Sequence, residues 1–63
     1  MKYLILLSKK DGEIVKIELR EEEVEKYNDE EVLLYVLQDH YNFKIQDYYY
    51  VFTDTIKERY ESN

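Results

Sequence analysis

Residues 28–41, NDEEVLLYVLQDHY, decide the fold, because they read as an uninterrupted amphipathic helix with its own start signal. Asn28 or Asp29 can accept a hydrogen bond from a first-turn N–H, and Asp29, Glu30 and Glu31 set negative charge at the positive end of the helix dipole. At about 100° per residue, Val32, Leu33, Val36, Leu37, His40 and Tyr41 share the half of the circumference that wants a core. Leu34, Tyr35, Gln38 and Asp39 fall on the other half. Asn42 is suited to the left-handed conformation that ends a helix, so the stop is expected after Tyr41.

The segments on either side are too short to fold without this helix. Before it, Lys2 to Ser8 is apolar on both parities and reads as a central strand. Lys9-Lys10-Asp11-Gly12 is a turn, Gly12 being the chain's single glycine. Glu13 to Arg20 returns as a second strand, with Val15, Ile17 and Leu19 alternating with Lys16, Glu18 and Arg20. Glu21 to Tyr27 is expected as a helical turn touching the core with Val24 and Tyr27.

After the helix, Phe43 to Asp47 leads into Tyr48-Tyr49-Tyr50-Val51-Phe52, whose aromatic and β-branched residues favour a third strand. Thr55 with Glu58 fits a capping box, so a short, frayed helix is expected over Ile56 to Glu61.

These elements predict a single α+β domain over residues 1–63. Its order is β-β-α-β, with a three-stranded antiparallel sheet of strand order 2-1-3, one main helix on one face and a short C-terminal helix. A crossover through the helix leaves the slot between the second and third strands for the first. One helix covers one face only, so Leu4, Leu6, Ile14 and alternate members of Tyr48 to Phe52 are expected on the other. That face calls for the C-terminal segment, a second copy or a partner to cover it.

With 63 residues and no cysteine, the chain has a thin core and neither disulfide nor zinc staple, which makes a homodimer the natural supplement. The apolar run at the N-terminus is too short for a signal-peptide core or a membrane span, so a soluble cytoplasmic protein is expected. The net charge of −6 is uneven. Residues 1–20 hold five basic and three acidic side chains, residues 21–63 four basic and twelve acidic. Such a surface repels phosphate, disfavouring direct contact with nucleic acid or anionic membrane, and suits a basic protein partner. Lys, Ile and Tyr are abundant and Ala is absent. This points to an A+T-rich coding sequence, viral or cellular.

No Gly-rich phosphate loop, placeable Ser/His/Asp set or paired-carboxylate context is present, so no catalytic or cofactor-binding residue is assigned and the chain reads as non-enzymatic. His40 is the only histidine and has no companion ligands at motif spacing, so no metal is expected. The acidic run Glu21, Glu22, Glu23, Glu25, Asp29, Glu30 and Glu31 lacks the spacing of a calcium loop. It reads either as a solvated, helix-capping face or as an anionic surface that imitates a phosphate backbone. Tyr48, Tyr49 and Tyr50 supply aromatic area for a core, for an interface, or for one on each parity.

In composition alone, small, acidic and cysteine-free, the chain resembles virus-encoded inhibitors that block nucleic-acid-binding proteins by mimicking DNA. The likeness carries no shared motif and transfers no residue. It implies an inhibitor of a nucleic-acid-binding protein, and the residues themselves lead to the expectation of a protein-binding module that uses its Glu21 to Glu31 surface, its Tyr-rich strand, or both. The competing expectation is an assembly subunit that forms an obligate oligomer through its apolar sheet face.

Overall fold

A computed structural model describes residues 2–63. The elements are β1 (Lys2–Ser8), β2 (Ile14–Leu19), α1 (Glu21–Lys26), α2 (Glu30–Tyr41), a 3-10 turn (Ile45–Asp47) and β3 (Tyr48–Thr53). The sheet has the order β2-β1-β3, and β1 is antiparallel to both neighbours. The α+β arrangement read from the sequence is the one observed.

The hairpin turn sets the register. Ser8 Oγ accepts the N–H groups of Lys10 and Asp11 at 3.2 and 3.4 Å, Asp11 Oδ1 accepts that of Glu13 at 3.0 Å, and Gly12 supplies φ of 74°. The Ser8 N–H donates to the Glu13 carbonyl at 2.8 Å, so each even residue of β1 faces an odd residue of β2. Leu4 therefore pairs with Ile17, and Leu6 with Val15. This overturns the expected facing of β1. Leu4 and Leu6 lie in the core, and Tyr3, Ile5 and Leu7 turn with Ile14 to the uncovered face. A one-residue change of register exchanges the faces of a whole strand, and the turn chemistry decided it here.

The core consists of Leu4 and Leu6 of β1, Ile17 and Leu19 of β2, and Leu33, Leu34 and Leu37 of α2. Val24, Tyr27, Phe43, Tyr48 and Phe52 pack around it. The buried arc of α2 is turned by roughly 60° from the expected one. Leu34 is buried, whereas Val32 and Tyr41 are about half exposed and His40 is exposed. Burying three leucines removes more apolar area from water than a face shared with Val32 and Val36.

Asp29 caps α2, its Oδ1 accepting the Glu31 N–H at 2.9 Å. At the other end Asn42 adopts φ 58° and ψ 53°. Gln38 organises this exit. Its main-chain carbonyl accepts the N–H groups of Asn42 and Phe43, and its Oε1 accepts that of Ile45 at 2.9 Å.

The expected C-terminal helix is absent, and residues 54–63 have no regular structure. Ile56 and Tyr60 are the only apolar residues of that segment, too few to pay for a helix of this length. The Thr53 hydroxyl donates instead to the Thr55 carbonyl at 2.8 Å, and Glu58 pairs with Lys16 rather than closing a capping box.

Leu34→Ala should cost about 2–5 kcal/mol in urea denaturation and Val32→Ala less than about 1 kcal/mol, the reverse of the ranking the periodicity implies. The Asp11 carboxyl is held below its ordinary value of 3.8 by the Glu13 N–H and then the Ser8 hydroxyl. Its stabilising effect is thus complete above that value and is lost as pH falls through the lower folded one. The stability gap between the native chain and Asp11→Asn should narrow on acidification through that window.

Candidate interaction surfaces

The seven acidic residues of the run divide by what they do. Glu23 turns back to accept the Arg20 N–H at 3.4 Å, Asp29 caps α2, and Glu30 pairs with Lys2 at 2.9 Å. These three serve the fold. Glu21, Glu22 and Glu25 lie at helical positions that share one side of α1, and with Glu31 they are exposed. Among the described residues none of these four makes an ion pair or side-chain hydrogen bond. Asp54, just beyond β3, joins Glu21 and Glu25 around a shallow cleft floored by Leu19, Val24 and the Lys2 side chain. The sequence reading missed Asp54, because only the pairing of Thr53 with Tyr3 brings the end of β3 beside the start of β1.

The three tyrosines do not form one surface. Tyr48 faces the helix side, half-buried, with its ring edge-on to Phe43 at 5.9 Å. Tyr49 lies on the uncovered face, 63% exposed, with the Lys9 ammonium 4.9 Å from its ring centroid. Tyr50 returns to the helix side but remains 49% exposed, its ring 6.2 Å from that of Phe52. Glu21, Glu25 and Glu30 gather with Asp54 at the sheet end formed by Lys2 and Leu19, whereas Tyr48 and Tyr49 lie toward the opposite end, beside Ser8 and Leu7.

The uncovered face carries Ile5, Leu7, Ile14, Tyr49 and Val51 around Lys16 and Glu18. The tail crosses it incompletely. Between the face and residues Thr55 to Tyr60 lies an open groove of about 700 Å³, walled by Ile5, Ile14, Val51 and Ile56.

His40 stacks edge-on against Tyr41 at 4.7 Å, and among the described residues no three His, Cys, Asp or Glu side chains are grouped to hold a metal ion. None of the described helices is long and apolar enough to cross a membrane. Comparison with protein-family models, curated proteins and solved structures finds no match.

The division of the acids is testable by stability alone. Asp29→Ala should lose about 1 kcal/mol in urea denaturation, because the cap on α2 goes. Glu21→Gln, Glu22→Gln and Glu25→Gln should each stay within about 0.5 kcal/mol of the native chain.

Proposed function

We propose that the protein is a non-enzymatic interaction module that engages a basic surface on a partner protein through α1 and the start of α2. The observation that carries this reading is the set of four exposed carboxylates, Glu21, Glu22, Glu25 and Glu31, that the fold does not employ. Unengaged like charges repel one another and weaken the compact state, so a surface that keeps them suits a use outside the fold. In its specific form the module is an inhibitor that presents carboxylates where a nucleic acid would present phosphates, occupying a basic site on the partner. The acidic end of the sheet, extended by Asp54, is the contact region in this reading.

Affinity capture from the source cell tests it. A partner held by the native chain should be released by added salt, and should be lost when Glu21, Glu22, Glu25 and Glu31 are all changed to Lys. Its association rate should drop at least about tenfold in that variant at low salt. A complex that is indifferent to salt and survives the fourfold reversal would sink the proposal.

A second reading, an assembly subunit forming an oligomer, is favoured by the uncovered apolar face. In that case Ile14→Asp and Tyr49→Asp should yield folded monomers while substitutions on α1 leave assembly intact.

A further inference from the structure

The two edges of the sheet are chemically unlike. On β2 the wet positions carry Lys16 and Glu18, and Glu58 of the tail reaches Lys16. Edge charges of this kind discourage strand addition. On β3, Tyr-Tyr-Tyr-Val-Phe-Thr has no charge, proline or glycine, and it ends the sheet. Tyr49, Tyr50 and Val51, at its middle, are about half to two-thirds exposed.

The hydrogen-bond phase shows which backbone groups this edge offers. The Lys9 N–H donates to the Asp47 carbonyl at 2.9 Å, one step beyond the pair Ser8–Tyr48. Bonded pairs recur at every second residue, so Leu7–Tyr49, Ile5–Val51 and Tyr3–Thr53 exchange the bonds of this ladder. The other ladder agrees, since Ser8 bonds to Glu13 and the even residues of β1 are thereby committed to β2. The backbone groups of Tyr48, Tyr50 and Phe52 consequently point outward. The Tyr48 N–H is taken by the Ile45 carbonyl, which leaves the Tyr50 and Phe52 N–H groups and their carbonyls on the open edge.

We propose that β3 pairs with β3 of a second copy, antiparallel about a two-fold axis between the two Val51 residues, to make a six-stranded sheet. Centring the axis there sets Tyr50 opposite Phe52 of the other copy, so the free N–H groups and carbonyls on both strands are used. Only even residues point outward, so every bonded pair joins even to even. This places both α2 helices on the same side of the joined sheet and makes the two uncovered faces continuous. Aromatic side chains meet across the new ladder on the helix side, a favourable cross-strand pairing.

Charge permits this partner despite the net −6 of each chain. Asp54, the nearest member of the acidic end, stands three residues from the axis, about 10 Å along the strand on either side. The acidic ends of the two copies are thus roughly 20 Å apart or more, over two Debye lengths at physiological salt. The tail leaves β3 through the Thr53–Thr55 turn toward Lys16 and does not run along the edge. The inference is independent of the acidic-surface reading, because an edge-paired dimer presents two acidic ends whether or not they have a partner.

A cysteine scan on this cysteine-free chain tests it. In an antiparallel non-bonded pair the Cβ atoms approach to about 4.5 Å, near the span of a disulfide. Val51→Cys should form a covalent dimer under mild oxidation, and Ile14→Cys, on the uncovered face at the other edge, should not. Sedimentation of the native chain should give twice the chain mass. Tyr50→Pro, which removes an outward N–H without touching the β1 ladder, should give a monomer, with circular dichroism reporting the fold. If that variant unfolds, Val51→Lys, which opposes two ammonium groups at the axis, supplies the same readout. A monomeric native chain would overturn the proposal. So would a dimer that survives these β3 substitutions but dissociates with Ile14→Lys, which would assign self-association to the sheet face.

Discussion

The structure depends on the burial of β1 between two neighbours and beneath one helix. Leu4 and Leu6 are almost completely removed from water, and both lie in one cluster with Leu33, Leu34 and Leu37 of α2. In a domain this small, two residues on a strand and three on a helix are most of the apolar core. The surrounding half-buried residues, Val15, Val24, Tyr27, Phe43, Tyr48 and Phe52, extend that core outward without enclosing a second one. Ile17 and Leu19 of β2 complete the cluster that these five leucines form.

Polar groups near that core act mainly on the chain's changes of direction. Ser8 and Asp11 hold the hairpin, Asp29 starts α2, and Gln38 gathers the donors released where α2 ends. Each satisfies backbone groups that would otherwise lack partners at a turn or helix end. The arrangement separates work within the acidic run as well. Carboxylates that close a helix or pair with Lys2 are part of the fold, and those on the outer side of α1 are left to solvent.

A single helix on a three-stranded sheet leaves one face and two edges without cover. The tail spans part of that face and is anchored through Glu58, but Tyr60 is 91% exposed and the groove beneath the tail stays open. The uncovered surface is therefore divided into an acidic end, an apolar face and an uncharged edge. Each suits a different kind of contact, electrostatic, hydrophobic or backbone-to-backbone.

The sequence by itself determined the order of the strands and the main helix as far as β3, the strand order and the limits of α2, but not the fate of residues 54–63. Those depend on local signals, a cap at Asp29, a left-handed residue at Asn42, a glycine turn and a β-rich tyrosine run, and on a crossover rule that leaves one slot for β1. It also marked every member of the acidic run, because charge is legible without coordinates. Only the tertiary structure decided which parity of β1 faces the helix, that Leu34 rather than Val32 is buried, and which acids the fold consumes. A strand apolar on both parities and a helix with apolar residues around more than half its circumference each admit two packings of similar local merit. The choice between them is made by the Ser8–Glu13 register and by the area buried when strand and helix meet, neither of which is a property of any one segment.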